Sequence, residues 1–227
     1  MAAEALSTGL DAGIAGRPFE TLALLAGLSL LPLAAVALTS FSKMTVVLSL
    51  LRSALGTQQA PPTMVLTGLA MVLTGHVMAP VLAETMARLQ ALPQIPGRYQ
   101  GTWGDYEPVL QPLRGFLAKH GDSNERENLL RVARELRGEG SATHVQESDL
   151  SIVIPAFVLT ELREAFQLGF LVFLPFLVVD MVVANVLLAL GMQTLSPTQV
   201  SLPFKLLLFV AADGWNLLSR GLLLGYR

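Results

Sequence analysis

Charged side chains interrupt two apolar segments in the last third of the sequence, and they are the residues most able to do chemistry. Glu161, Asp180, Lys205 and Asp213 each lie within or directly beside an apolar run. A charge in hydrocarbon costs about 2.5 kcal/mol or more, so membrane proteins keep one only where it pairs, lines water or carries protons. These four residues therefore indicate a working part of a membrane protein rather than a passive anchor.

Glu161 and Lys205 are the first candidate pair, because they lie at comparable depths before two long apolar segments. We expect them to pair between neighbouring copies of the chain, since that pair neutralises two charges that are costly to bury. Two alternatives remain open. The charges pair within one subunit, or Lys205 extends its amine to the lipid headgroups.

Asp180 and Asp213 are predicted buried acids with no basic neighbour within a helical turn, although Asn185 and Asn216 supply amides nearby. One hypothesis is a proton relay, in which these acids carry protons across the membrane. The other is that they form hydrogen bonds between helices, which explains a single buried acid equally well. Both hypotheses stay open.

The sequence carries no pattern typical of an enzyme. It has no cysteine, no phosphate-binding glycine motif and no G-x-S-x-G motif. His76 and Glu84 lack a second nearby histidine, so we expect no metal site there. A net charge of −2 gives no broad basic surface for nucleic acid. We therefore predict no catalytic residue, no cofactor, no metal and no nucleic-acid partner.

The elements that must position these charges are membrane-class helices. The 227 residues are 52% hydrophobic and only 14% charged, with a mean hydropathy of +0.57, and no segment alternates like a strand. The sequence predicts an all-α, polytopic protein whose helical hairpins are kinked at Pro32, Pro80, Pro175 and Pro203. The apolar stretches long enough to span a bilayer are 21–41, 63–83, 166–190 and 200–224.

Four parts follow from this pattern. A short N-terminal segment (1–20) precedes a first helical hairpin (21–83), a water-exposed helical insert (84–154) and a second helical hairpin (155–227). The N-terminal segment has no basic region before its apolar run, so we do not expect a cleaved signal. In the insert, Asp122-Ser123-Asn124 predicts the start of a helix.

The positive-inside rule gives an orientation. The connection between the first two apolar segments carries Lys43 and Arg52 without an acid, which predicts that it is cytoplasmic. The insert then lies in the periplasm of a bacterium. The loop near 191–197, which joins the last two segments, returns to the cytoplasmic side.

Three sequence blocks resemble the FliP/SctR (YscR, HrcR) family, the core export-apparatus proteins of flagellar and virulence type III secretion. Their lengths make the resemblance specific. The blocks are LTSFSK with LLRSALGTQQAPP within 38–62, PAF with ELREAFQLGF within 155–170, and LPFKL with DGW within 202–215.

The resemblance implies an export gate of the bacterial inner membrane that conducts unfolded polypeptides. About five copies would form a helical ring. Its implied partners are subunits similar to SctS (FliQ) and SctT (FliR), near a switch protein similar to SctU (FlhB). An export ATPase and the proton motive force would supply the energy, which agrees with the missing nucleotide motif.

The loop containing Gly191, Met192, Gln193 and Thr194 is the candidate pore gasket. In a ring, identical loops would point at one axis, and flexible methionine side chains could seal yet yield to passing chains. Flagellar members carry a run of methionines here, whereas this chain has Met192 alone. That difference favours the virulence or symbiosis branch. The alternative is a plain turn between two helices.

A secondary transporter is the competing function. It would also use kinked helices and charges within the membrane, but it would normally show two related halves. No internal repeat is visible in this sequence.

Overall fold

The computed structural model of the chain describes residues 18–57, 60–92, 103–137 and 146–227. Every regular element within these ranges is a helix, which confirms the predicted all-α fold. Most of the predicted N-terminal segment lies outside the described residues, as do residues 93–102 and 138–145 of the insert. In chain order the helices are α1 (Pro18–Ser29), α2 (Leu31–Leu38), α3 (Phe41–Leu55), α4 (Thr63–Gln90), α5 (Trp103–His120), α6 (Ser123–Arg137), α7 (Leu150–Ala189), α8 (Pro197–Ala211) and α9 (Gly214–Leu224).

The local sequence explains where α3 ends and where α6 begins. α3 ends just before Gly56, whose φ of 73° is left-handed and whose N–H donates to the Ser53 carbonyl at 3.1 Å. Glycine adopts this conformation without a steric penalty. α6 begins after Asp122, whose Oδ1 atom accepts a hydrogen bond from the Asn124 N–H at 2.8 Å. The predicted start of the insert helix is confirmed.

The four prolines named in the sequence analysis differ in their effect on the helices, and Pro32 is the second residue of α2, directly after the break at Leu30. Pro80, Pro175 and Pro203 lie inside α4, α7 and α8, and none of the three ends its helix. The break in the last apolar segment instead lies at Asp213, which has a left-handed φ of 49°, and α8 and α9 meet there at 62°. The segment predicted as one span at 200–224 is therefore two helices.

α3 corrects the predicted connection of the first hairpin. Lys43 and Arg52 lie in this helix, and the chain between α3 and α4 is residues 56–62. α3 runs alongside α7 in the same direction, since Lys43 contacts Glu161 and, further along both helices, a Cβ on Gly169 would lie 2.1 Å from the Leu50 Cδ1 atom. Hydropathy missed α3 because its serines, Lys43 and Arg52 interrupt the apolar stripe that it buries.

Two apolar clusters hold residues 38–227 together as one compact unit, while α1 and most of α2 belong to a separate unit that ends at Ala37. The larger cluster lies between α3, α4, α7, α8 and α9. The smaller one joins α5 to α4 and to the first turns of α7, so the described part of the insert packs on the hairpins. Its buried residues are Met78, Phe116, Leu117, Val153 and Phe157.

α4 and α7 are long and apolar enough to cross a bilayer, and up to four spans result when each of two broken helix pairs counts as one. α7 has 40 residues, which gives about 60 Å of helix, about twice the hydrocarbon thickness of a bilayer. Only 11% of its most apolar window is buried within the chain. These exposed apolar helices confirm the membrane-class prediction, and assembly into a ring stays a prediction.

Candidate functional site

Lys43 and Glu161 form an ion pair that the chain encloses. The Lys43 Nζ atom lies 3.0 Å from Glu161 Oε1 and 2.7 Å from Glu164 Oε2. Lys43 is 2% exposed and Glu161 is fully buried, whereas Glu164 reaches the surface. Buried charges are tolerated only when they are paired and hydrogen-bonded. The position of α3 against α7 is therefore tied to this contact.

Tyr226 covers the Lys43–Glu161 pair. Its hydroxyl donates a hydrogen bond to Glu161 Oε2, and Lys43 Nζ lies 4.2 Å from the centroid of its ring. The same ring stacks on Phe116 at 6.1 Å and meets His120 edge-on at 5.1 Å between centroids. A cation over an aromatic face is attracted by the negative potential of the ring. The residues after α9 thereby contact α3, α5 and α7 at one point.

The turn between α5 and α6 is fastened to α7 next to this cluster. The Asp122 N–H donates to Thr160 Oγ1 at 2.9 Å, and Arg163 donates to Asp122 Oδ2 at 2.8 Å. Arg163 also pairs with Glu125 in the first turn of α6. Arg163 and Glu164 therefore have partners at the α5–α6 end of α7, and neither is an isolated charge.

Two titratable groups at this end have shifted pKa values. The Asn124 N–H holds the pKa of Asp122 below its usual value, and Arg163 adds to the effect. Burial lowers the pKa of His120, and repulsion by Lys119 and Lys43 lowers it further. Both effects favour the neutral form of His120, which lies beside Tyr226.

A second ion pair, between a buried lysine and a partly exposed aspartate, joins α7 to α8. Lys205 Nζ lies 2.6 Å from Asp180 Oδ2 and donates a hydrogen bond to the Ala54 carbonyl oxygen at 3.0 Å. The hydroxyl of the fully buried Ser201 donates to the other carboxylate oxygen of Asp180. Lys205 thus links α8, which carries it, to α3 and α7.

The structure gives Glu161 and Lys205 different partners from the predicted one. Each already meets an opposite charge in its own chain, Lys43 for Glu161 and Asp180 for Lys205. Neither charge is therefore isolated in its own chain, so the original reason for a pair between copies no longer holds. The pair between copies stays a prediction. Of the two alternatives, pairing within one subunit describes both residues, although not with each other. Snorkelling does not describe Lys205, which is 2% exposed.

Asp180 and Asp213 lie in different surroundings. Asp180 bonds across helices to Lys205 and Ser201, as one of the two hypotheses expects. Asp213 is exposed rather than buried within the chain, because it occupies the left-handed break between α8 and α9. Its carboxylate accepts a hydrogen bond from the Asn216 side chain at 2.9 Å. The proton relay stays an untested hypothesis.

The hinge loop, residues 190–196, begins with a Schellman motif that closes α7. The Met192 N–H donates to the Leu187 carbonyl at 2.9 Å, and the Gly191 N–H donates to the Leu188 carbonyl at 3.1 Å. Gly191 has a left-handed φ of 71°, the conformation that this motif requires. The candidate gasket residues Gly191 to Thr194 are all exposed, and Met192 exposes 47% of its surface.

Sequence reasoning missed Lys43 and Tyr226 as members of the site. Lys43 had been assigned to a connection between helices, although its place on the buried stripe of an amphipathic α3 was a usable signal. Tyr226 gave no signal, because its contacts come from residues 65 and more positions away in the chain.

The surfaces between α7 and α8 offer little to a polar ligand. An apolar groove of about 550 Å³ runs between them, and valine, leucine and Phe204 side chains line it. It has no polar group to orient a substrate. Among the described residues, no three histidine, aspartate or glutamate side chains are arranged to hold a metal ion.

Most of the chain matches known proteins. The model of the FliP family matches residues 24–222. The chain is 46% identical over 204 residues to the hypersensitivity response secretion protein HrcR of Ralstonia nicotianae, covering 88% of this chain and 93% of that protein. The Yop proteins translocation protein R of Yersinia pestis is 45% identical over 199 residues, 88% and 92% of the two chains. The flagellar biosynthetic protein FliP of Cereibacter sphaeroides is 42% identical over 207 residues, 91% of this chain and 67% of that protein.

Lys43→Met is expected to destabilise the chain by about 3–5 kcal/mol, because it leaves Glu161 as a buried charge without an opposite charge beside it. Combining it with Glu161→Leu should recover most of that loss, since no buried charge then remains. Thermal unfolding of the detergent-solubilised chain measures both effects. The control is Arg88→Met, which breaks the exposed Glu84–Arg88 pair and the exposed hydrogen bond from Arg88 to the Pro108 carbonyl, and it should cost about 1 kcal/mol. A Lys43→Met chain as stable as this control would contradict the assignment.

Stability is expected to fall as pH decreases from about 7.5 to about 5.5. The pKa of His120 is lower in the folded chain than in the unfolded one, so the unfolded chain binds more protons in this window and acid favours unfolding. His120→Gln should flatten the dependence in thermal unfolding at several pH values. His76→Gln, at an exposed position, is the matched control. Equal pH slopes for His120→Gln and the unaltered chain would refute this role.

Proposed function

Because the chain belongs to the FliP family, we propose that it is a pore-forming subunit of a type III export apparatus. Its relatives are named for secretion, translocation and flagellar biosynthesis, so the chain is a component of an export apparatus. The pore is the part that we propose. The single Met192 in the hinge loop supports a machine of the virulence or symbiosis type, and no catalytic step is assigned to the chain.

The exposed hinge loop carries the pore proposal. Apolar side chains at Met192 and Leu195, about half exposed at 47% and 48%, stand at the tip of a hairpin. The ion pair between Lys205 and Asp180 joins the two arms of this hairpin. A loop of this kind leaves its apolar side chains free to contact something outside the chain. Loops from several copies around one axis would form a soft collar against a translocating polypeptide.

Ring formation is supported by the large apolar surface that the chain leaves open. α7 and α8 expose many bulky side chains along their lengths, far more than a soluble monomer tolerates. We propose about five copies in a closed ring, joined by subunits similar to SctS and SctT and lying near one similar to SctU. The substrates are unfolded secreted polypeptides. The exposed apolar side chains of α7 include Phe166, Phe170, Leu171, Val178, Met181, Val182, Val186 and Leu188.

The orientation that we propose has the hinge loop on the cytoplasmic side of the bacterial inner membrane. The hinge end of α8 lies against the α3–α4 connection, since a Cβ on Gly56 would lie 3.4 Å from the Thr198 Cγ2 atom. Arg52, in the last turn of α3, gives that end its positive charge. α5 and α6 pack at the opposite end of α7, which agrees with a periplasmic insert.

The proposal is tested by the native mass of the detergent-extracted chain, alone and with its proposed SctS and SctT partners. A discrete assembly of about five copies that gains partner mass is the expected result. A stable monomer or dimer that ignores those partners would overturn the export gate. That outcome would favour the secondary transporter, whose charged site would then be the Asp180–Lys205 pair.

Met192→Ala is expected to let small ions leak through the assembled pore, because the smaller side chain leaves a gap in the collar. Ion flux into vesicles that hold the complex measures this leak. Met64→Ala is the matched control, since Met64 is 87% exposed but lies in the first turn of α4 rather than in the hinge loop. Tight vesicles with both variants would leave the loop as a plain turn.

A further inference from the structure

Three helices meet at the amine of Lys205. The amine bonds to Asp180 on α7 and to the Ala54 carbonyl on α3, while Lys205 itself belongs to α8. Only 2% of Lys205 is exposed, so its amine depends on these two partners rather than on bulk water. A contact that merely neutralised the charge of Lys205 would need Asp180 alone. Charge neutralisation therefore does not explain the hydrogen bond from Lys205 to the Ala54 carbonyl.

We propose that Lys205 is a positioning residue that fixes the hinge loop relative to the end of α3, with Asp180 holding its amine in place. The consequence for export depends on the proposed pore, whereas the geometric role does not. The predicted pair with Glu161 of another copy is the competing assignment for Lys205.

The Ala54 carbonyl is a suitable anchor because it belongs to the last turn of α3. The last four carbonyls of a helix have no partner in the helix itself, and a cation is favoured at this end of the helix dipole. α3 stops one residue after Ala54, at Leu55, and Gly56 then turns the chain away in a left-handed conformation. Lys205 thus supplies a donor that the sequence of α3 does not.

Close packing around the amine leaves little freedom for movement. A Cβ on Gly56 would lie 3.7 Å from Lys205 Nζ and 3.4 Å from Thr198 Cγ2. Ser201 is fully buried, and its hydroxyl contacts both Asp180 and the Thr198 carbonyl. The first two turns of α8 are therefore held against α3 and α7 together.

The position of the pair along the hairpin explains how it sets the loop. Asp180 lies nine residues before the end of α7 and Lys205 eight residues after the start of α8. At the rise of a helix, the pair is about 13 Å from the loop on each arm. Fixing both arms there fixes the spacing at the tip. A movement of the 56–62 connection would also be passed through Lys205 to the loop.

Spin labels test the positioning role directly, because the chain has no cysteine of its own. Cysteines replace Ser53, exposed near the end of α3, and Gln193, exposed in the hinge loop. Double electron–electron resonance then measures the distance between them, with labelled chains diluted into unlabelled ones. The key variant combines Asp180→Leu with Lys205→Met, which removes both charges, so that neither is left buried without an opposite charge.

The double variant is expected to keep the thermal stability of the parent while its distance distribution broadens about twofold or more, because nothing then joins α8 to Ala54. Secretion should fall by about tenfold, the factor by which an equilibrium constant changes when a hydrogen bond to a charged group is lost. Lys205→Arg, which keeps donor and charge, should retain a narrow distribution. Arg88→Met, at the exposed pair on α4, is the control and should change neither reading.

A narrow distribution in the double variant would overturn the positioning role. Recovery of a narrow distribution and of secretion when Glu161→Lys is combined with Lys205→Glu would also overturn it, in favour of the pair between copies. If the double variant fails to fold, Ser201→Ala replaces it. That variant should broaden the distribution, and an unchanged one would refute the part assigned to Asp180. The distance does not require a pore, so broadening in a chain that forms no assembly would reject the proposed function alone.

Discussion

Burial of Lys43 is the constraint on which the described fold depends. An amine that water cannot reach has to meet fixed carboxylates, and Glu161 supplies one only when α3 lies parallel to α7 in a single register. Apolar packing between two helices tolerates small slides, because many leucine and valine contacts exchange for one another. The ion pair does not tolerate them. Gly169 then removes the side chain that would otherwise hold Leu50, and with it α3, away from α7.

The second ion pair holds α7 at another point along its length. Glu161 and Asp180 are nineteen residues apart on α7, about 28 Å along its axis and close to the thickness of a hydrocarbon core. Each is held by a lysine from a different helix, Lys43 on α3 and Lys205 on α8. Between and beyond these two points, α7 presents apolar side chains to its surroundings. Polar contacts within the chain therefore fix α7 at two points, and its apolar surface is left for association.

The sequence predicted the elements better than the contacts. The insert helix after Asp122 and the turn at Gly191 follow from local rules for caps and left-handed residues, which act over a few positions. The partners of Glu161 and Lys205 could not be predicted in this way. Lys43 lies 118 residues from Glu161 in the sequence, and a window of hydropathy treats each charge as isolated. Hydropathy makes α3 resemble a connection for the same reason, since its polar residues lower the average hydropathy while its buried face remains continuous.

Polar contacts hold α7 and α8 in place, whereas the hinge loop between them is exposed. This difference bears on how a single methionine per chain could act as a seal. Backbone hydrogen bonds at Gly191 and Met192 fix where the loop leaves α7, so the Met192 side chain has no part in holding the turn. It can change rotamer without cost to the fold, as flexible thioether side chains do. A run of methionines would add bulk to such a collar. Fixing α7 and α8 at Lys205 instead makes the position of each Met192 side chain more accurate. With one methionine available, the placement of the arms becomes the larger contribution to closing the proposed pore.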